Sequence, residues 1–140
     1  MTEVRQGLLK LDRPWQIVEE KGQYHLDQQT KDNVDLAFRF LTDLSSKQAI
    51  YGINTGFGPM ATYRVGETDA KMLQYNLIRS HANGMGDKLT PNQVRGVMVL
   101  RLHSLATGRY GCSPDLTTQL ENYIAHGIYP VINYHGGVGA

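Results

Sequence analysis

Two segments of the chain start with the same type of helix-initiating pair, a hydroxyl residue followed by proline, and this feature constrains the fold more than any other. Thr90-Pro91 and Ser113-Pro114 each place a capping hydroxyl directly before a proline that suits the first helical position. Apolar residues then recur at helical spacing, namely Val94, Val97, Met98, Leu102 and Leu105 in the first segment and Leu116, Leu120, Tyr123 and Ile124 in the second. The sequence therefore predicts two amphipathic helices, one ending before Gly108 and the other at Gly127.

Two further helices are predicted upstream. Apolar positions from Val34 to Leu44 predict a helix over about 31–44, which Ser45-Ser46-Lys47 should end. Thr68 is the predicted cap of the next helix, whose apolar face runs to His81, and Gly84-Met85-Gly86 should terminate it.

The remaining segments carry weaker patterns. Residues 1–30 predict one or two short strands or irregular segments, and residues 130–132 predict a short extended segment. Strands and helices do not alternate along the chain, so the pattern argues against a parallel αβ sheet and favours a mainly α fold.

Composition narrows the class of protein. The 140 residues have the size of one domain, and 41% apolar with 19% charged residues is typical of a soluble, globular chain. A net charge of +1 with scattered Lys and Arg argues against a nucleic-acid or anionic-membrane surface, and we expect neither as a partner. A single cysteine, Cys112, cannot form an internal disulfide, so we expect a cytoplasmic protein. No membrane-spanning run or signal pattern is visible.

A long glycine-rich loop, residues 50–66 (the Tyr51 loop), contains Tyr51-Gly-Ile-Asn-Thr-Gly-Phe-Gly58. Glycines allow the backbone to pass close to a ligand, and Asn54 and Thr55 can stiffen the turn by bonding to nearby backbone. A tyrosine held on such a loop is a candidate base, although a phenol ordinarily titrates near ~10 and would need nearby donors or positive dipoles. The alternative is an ordinary surface loop with a half-buried tyrosine.

His81 and Cys112 are the other candidates for chemistry. His81 is either a core histidine or a polar group presented at a helix end to a substrate side chain. The remaining histidines lack the spacing of a metal site, so no metal is expected. Cys112 is interpreted as a buried small residue rather than a nucleophile.

Three motifs taken together resemble the aromatic amino-acid ammonia-lyases, a family that includes histidine, tyrosine and phenylalanine ammonia-lyases and related aminomutases. They are the tyrosine motif, Leu73-Gln-Tyr-Asn-Leu-Ile-Arg-Ser-His81 with Gly84, and Gly136-Gly-Val-Gly-Ala140. The resemblance covers nearly all of residues 34–140, and it looks nearest to bacterial tyrosine ammonia-lyases.

The resemblance implies the fold and the chemistry. Residues 1–140 would be the N-terminal portion of the mainly α ammonia-lyase fold, with glycine-rich active-site loops, in a cytoplasmic homotetramer. Ala140 would be the first residue of an Ala-Ser-Gly triad that cyclises to 4-methylideneimidazol-5-one, an electrophilic prosthetic group. Tyr51 would be the base, Gly58 would line the pocket, and His81 would contact the aromatic ring of the substrate.

These implications leave alternatives open. L-tyrosine, giving p-coumarate, and L-histidine, giving urocanate, both suit a histidine at position 81 better than phenylalanine does. Gly137 stands where many members have serine and Asn133 where a second proline is frequent, which weakens a plain histidine ammonia-lyase assignment. A tyrosine aminomutase of the same family and a non-catalytic helical interaction domain are the other interpretations.

Overall fold

The computed structural model describes residues 2–4, 18 and 24–137, and within them it is mainly helical, as predicted. In chain order its elements are β1 (Thr2–Val4), β2 (Tyr24–Leu26), α1 (Gln28–Lys47), α2 (Glu67–His81), β3 (Met85–Lys88), α3 (Pro91–Ala106), α4 (Pro114–His126) and β4 (Asn133–His135). Strands β1 and β2 pair in parallel, with Val4 opposite Leu26, and β3 pairs with β4. Ala140, the predicted start of the triad, lies outside the described residues.

The chain divides into two units. The first comprises the described residues up to Leu41 together with Lys88–Ile132, and the second comprises Thr42–Asp87 together with the residues from Asn133 onward. The first unit therefore holds β1, β2, α3, α4 and α1 as far as Leu41. The second holds the rest of α1, α2, β3 apart from Lys88, β4 and the Tyr51 loop.

Both predicted helix starts with proline are confirmed. Thr90 caps α3 through a reciprocal pair of bonds: its Oγ1 accepts from the backbone N–H of Gln93, and its own N–H donates to Gln93 Oε1 at 2.8 Å. Ser113 Oγ accepts from the N–H of Leu116 at 3.3 Å at the start of α4. The predicted stop at Gly127 is also confirmed, because this residue adopts a left-handed backbone (φ 67°) after the last residue of α4.

Helix α1 departs from the prediction at its C-terminal end. It continues through Ser45, Ser46 and Lys47, which were expected to end it. The hydroxyls of Ser45 and Ser46 donate to the carbonyls of Thr42 and Asp43, three residues back, so both serines are satisfied within the helical turn.

Helix α2 departs from the prediction at both ends. Its N-cap is Gly66, and Thr68 lies inside the first turn, so the predicted Thr68 cap is wrong. The helix ends at His81, three residues before Gly84, and Met85 already begins β3. This strand has no apolar alternation and was not predicted, because its pairing partner β4 lies far along the chain.

The core of the first unit is built where β2, α3 and α4 meet. Its buried cluster consists of Tyr24, Leu26, Val94, Met98, Val99, Leu102, Ala106 and Ile124. The predicted stripe of α3 is confirmed except at Val97, which is exposed because it lies on the opposite side of Met98 from the buried Val99, beyond the edge of the buried face. On α4, Leu116 and Tyr123 are also exposed, contrary to the predicted stripe.

Two buried charged residues, which the pattern did not predict, join the elements of this core. Glu121 on α4 accepts from the backbone N–H of Leu26 at 3.1 Å and lies 3.0 Å from His25 Nδ1 and 3.4 Å from Lys31 Nζ. Arg95 on α3 donates to the carbonyl of Ile124 at 3.0 Å. Their polar atoms therefore have partners, as buried charges require.

Among the described residues, no helix combines the length and apolarity that a bilayer crossing needs.

Candidate functional site

The Tyr51 loop lies in the second unit and folds back on itself. The N–H of Gly56 donates to the carbonyl of Tyr63 at 3.0 Å, and the N–H of Val65 donates to the carbonyl of Asn54 at 2.8 Å. An isolated antiparallel bridge joins Thr55 to Arg64 between these bonds. The loop is therefore ordered by its own backbone pairing.

Asn54 fixes the base of this loop. Its Oδ1 accepts from the N–H of Ile50 at 2.7 Å, and its Nδ2 donates to the carbonyls of Ser45 at 2.7 Å and Gln48 at 3.0 Å. The predicted stiffening by Asn54 is confirmed, and Thr55 adds a bond from its hydroxyl to the carbonyl of Gly56. These bonds bracket Tyr51 on both sides and restrict the backbone that carries it.

The side chain of Tyr51 is exposed, and its hydroxyl is held at the loop. Tyr51 Oη accepts from the backbone N–H of Gly58 at 3.4 Å, and its ring packs edge-on against Phe57 with centroids 6.0 Å apart. Gly58 has φ 55°, a left-handed conformation in which a side chain would be strained. The structure thus brings two of the predicted site residues, Tyr51 and Gly58, into direct contact.

Helix α2 connects the loop to His81. Gln74 Nε2 donates to the carbonyl of Gly52, the residue directly after Tyr51, at 3.2 Å. Gln74 and His81 are seven residues apart, about two helical turns, so they lie on the same face of α2. Gln74 was not predicted, because its neighbours in the sequence do not indicate which backbone carbonyl its side chain will meet.

His81 is the last residue of α2, and it is exposed. Its Nδ1 lies 2.9 Å from the carbonyl oxygen of Leu77 and 3.0 Å from Ser80 Oγ. The interpretation as a buried core histidine is wrong, and a polar group presented at a helix end is the arrangement that the structure has.

Gly137, in the C-terminal motif, lies close to the side chain of Asn83. A Cβ added to Gly137 would lie 2.8 Å from Nδ2 and 3.0 Å from Oδ1 of Asn83. A serine at this position would therefore require the end of the Asn83 side chain to move.

The remaining candidates for chemistry are the thiol of Cys112 and side chains that could bind a metal. Burial raises the pKa of the Cys112 thiol, which disfavours the nucleophilic thiolate. Among the described residues, no group of three or more His, Cys, Asp or Glu side chains is arranged to hold a metal ion.

Comparison with known proteins gives the family. The family model of aromatic amino acid lyases matches residues 9–140. The histidine ammonia-lyase of Salmonella typhimurium is 36% identical over 135 residues, which are 96% of this chain and 27% of that protein. The helical fold with its ordered tyrosine loop thus belongs to a known class of enzymes, and the chain is a member of the aromatic amino acid lyase family.

Solved structures agree with this membership. The tyrosine aminomutase of Streptomyces globisporus superposes with a TM-score of 0.89 at 26% identity, covering 97% of this chain and 26% of that one. The phenylalanine aminomutase of Pantoea agglomerans gives 0.90 at 25% identity, with coverages of 99% and 27%. The histidine ammonia-lyase of Trypanosoma cruzi gives 0.80 at 29% identity, with coverages of 92% and 25%. The chain therefore spans about a quarter of the length of the relatives it matches.

Proposed function

We propose that this chain contributes the catalytic base and the side-chain pocket of an aromatic amino-acid ammonia-lyase. The reaction removes ammonia from L-tyrosine or L-histidine and leaves p-coumarate or urocanate. The observation that carries the proposal is the exposed Tyr51 hydroxyl, oriented by the N–H of Gly58 on an ordered glycine-rich loop, in a member of this family.

Tyr51 is the residue that takes the proton. Elimination requires removal of a β-proton from the amino acid while the amine leaves from the α-carbon. As the phenolate, its oxygen accepts that proton as a general base and becomes the neutral phenol. Because Asn54 and Gln74 restrain the backbone on either side of it, the oxygen keeps a defined direction toward the substrate.

His81 is the residue that contacts the aromatic ring. It ends the helix whose Gln74 binds the Tyr51 loop, so one rigid element carries both the ring contact and a support of the base. A polar imidazole at the ring suits a phenol or an imidazole substituent and leaves phenylalanine without a partner.

The family's prosthetic group completes the proposal. When formed, 4-methylideneimidazol-5-one supplies an electrophile for the amine, a role no ordinary side chain can fill. Ala140 is proposed as the first residue of its triad, and the serine and glycine as the next two. Residues 1–140 would then be the N-terminal portion of a longer ammonia-lyase, in keeping with the 27% of the Salmonella protein that they span.

We further propose that the assembled protein is a cytoplasmic homotetramer. Large apolar side chains on α1 are exposed in this chain, Leu36 at 69% and Phe40 at 65%, and further polypeptide would cover them.

The experiment that tests the proposal uses the full-length polypeptide. L-tyrosine and L-histidine are supplied separately, and the conjugated acids are followed by ultraviolet absorbance. We expect one of them to be converted and Tyr51→Phe to lower kcat at least ~100-fold, because a positioned general base contributes on the order of 10²–10⁴. Tyr63→Phe is the matched control, since Tyr63 is an exposed tyrosine of the same loop. Wild-type turnover by Tyr51→Phe would show that the base is another residue.

A second candidate is an aminomutase, which returns the ammonia to the β-carbon. The superpositions on the tyrosine and phenylalanine aminomutases favour it as the alternative. Chromatography of the same reactions decides between the two: a β-amino acid at yields comparable to the acid product supports the aminomutase, and free ammonia matching the acid mole for mole supports the lyase.

A further inference from the structure

The surroundings of His81 determine which of its ring nitrogens carries the proton. Nδ1 lies 2.9 Å from the Leu77 carbonyl oxygen, which can only accept a hydrogen bond. The Ser80 hydroxyl donates to the same carbonyl at 2.9 Å, so its remaining lone pairs are available to Nδ1 at 3.0 Å. Both neighbours of Nδ1 therefore act as acceptors.

Only one neutral tautomer satisfies this arrangement. With the proton on Nδ1, the ring donates toward Leu77 and Ser80, and the Ser80 hydroxyl keeps its hydrogen bond to the Leu77 carbonyl. With the proton on Nε2, the Nδ1 lone pair would face a carbonyl lone pair at 2.9 Å. The Ser80 hydroxyl would then have to leave Leu77 to compensate, and one hydrogen bond would be lost.

A second histidine of the chain shows the same geometry. His126 is the last residue of α4, and its Nδ1 lies 2.8 Å from the carbonyl of Asn122, four residues back. The residue before it is Ala125, so no hydroxyl is present there. The carbonyl contact is thus a local property of a histidine that ends a helix, and Ser80 is what distinguishes His81.

We propose that Leu77 and Ser80 hold His81 in the Nδ1–H tautomer, so that its Nε2 presents a lone pair and the ring subsite selects substrates whose aromatic substituent donates a hydrogen bond. Ser80 is a positioning residue in this arrangement. The inference rests on the proposed function, because it takes the His81 ring to face the substrate. A phenol hydroxyl and an imidazole N–H satisfy the requirement, whereas a fluoro or methoxy substituent, which only accepts, meets the lone pair of Nε2 unfavourably.

The first test determines the tautomer of His81 in the absence of substrate. Full-length protein labelled with ¹⁵N-histidine is examined by magic-angle-spinning NMR under conditions where the ring is neutral, and the His81 resonances are assigned by their loss in His81→Gln. We expect a protonated Nδ1, as for His126, the internal reference. A protonated Nε2 at His81 would overturn the proposal whether or not the protein is a lyase.

The second test measures the selectivity of the site among cinnamates that differ in their 4-substituent. Inhibition of turnover is compared for 4-hydroxycinnamate, 4-fluorocinnamate and 4-methoxycinnamate. We expect the hydroxy acid to inhibit about tenfold more strongly than the fluoro acid, which corresponds to one hydrogen bond. Ser80→Ala should reduce that ratio to about threefold, because the ring is then restrained by one acceptor alone.

The matched control is Ser46→Ala. Ser46 makes the same bond to a carbonyl three residues back, on α1, without a neighbouring histidine, and its replacement should leave the ratio unchanged. Equal inhibition by all three acids in an active enzyme would overturn the inference and leave the lyase assignment intact. An unchanged ratio in Ser80→Ala would overturn the role given to Ser80. Absence of turnover and of inhibition by every acid would instead mean that the proposed function fails.

Discussion

Gly56 is the glycine of the Tyr51 loop that has least room for a side chain. An added Cβ would lie 2.6 Å from the carbonyl oxygen of Met60 and 2.7 Å from its Cβ. Since the first of these atoms belongs to the backbone, the loop itself would have to shift. We expect Gly56→Ala to lower kcat by about 100-fold, because a displacement of about 1 Å at a catalytic group can have that effect.

Gly66→Ala is the control for this prediction. Nothing lies within 4 Å of its added Cβ, and its φ of −64° is open to any residue. Activity and the circular dichroism spectrum are measured for both variants. Equal activity of the two would show that the Tyr51 loop does not need the close approach at Gly56.

The sequence predicted part of the candidate site around the Tyr51 loop. The stiffening of the loop by Asn54 was predicted because turn chemistry is local and depends on a few adjacent residues, whereas the roles of Tyr51 and Gly58 were implied by the resemblance. Gln74 and the Gly137–Asn83 contact were not predicted, because each depends on which residue a side chain meets after the chain has folded.

At the scale of elements, Glu121 joins α4 to β2 through a buried carboxylate. It accepts from the backbone of Leu26 and lies beside His25 and Lys31. We expect Glu121→Gln to lower the free energy of unfolding by about 2 kcal/mol, because a neutral amide loses the charge-assisted bonds and turns an amide nitrogen toward one of the donors.

Asp43→Asn is the control for Glu121→Gln. It removes an exposed ion pair with Lys47 on α1, and a pair of this kind contributes about 0.5 kcal/mol at most. Both variants are compared with the parent protein by urea denaturation. Equal midpoints for Glu121→Gln and Asp43→Asn would show that the buried carboxylate adds no more than a surface pair.

At the scale of the whole molecule, the core of the first unit makes stability depend on pH through Tyr24. Its side chain is fully buried, its hydroxyl has no hydrogen-bond partner among the described residues, and burial raises its pKa above the ordinary value. The unfolded phenol ionises above about pH 10, while the folded one keeps its proton. The unfolded state then binds fewer protons, so the stability that this group contributes is present below about pH 10 and is lost as the pH rises beyond it.

Tyr24→Phe tests this dependence. We expect the free energy of unfolding at neutral pH to increase by about 1 kcal/mol, because an unpaired buried hydroxyl is removed. The decline in stability between about pH 9 and pH 11 should also become shallower than in the parent protein. Tyr63→Phe, at an exposed tyrosine, should change neither quantity. Thermal denaturation across this pH range is the measurement, and identical pH profiles for Tyr24→Phe and the parent would contradict the prediction.

The sequence by itself determined that α1 to α4 form and where α3 and α4 begin, because hydroxyl–proline starts and a 3.6-residue apolar period act within a few residues of one another. It also determined the family, through three motifs whose residues are adjacent in the chain. Only the tertiary structure decided the pairing of β3 with β4, the burial of Glu121 and Arg95, and the bond from Gln74 to the Tyr51 loop. Each of these joins residues that are distant in sequence, and their meeting depends on how whole elements pack rather than on any local preference.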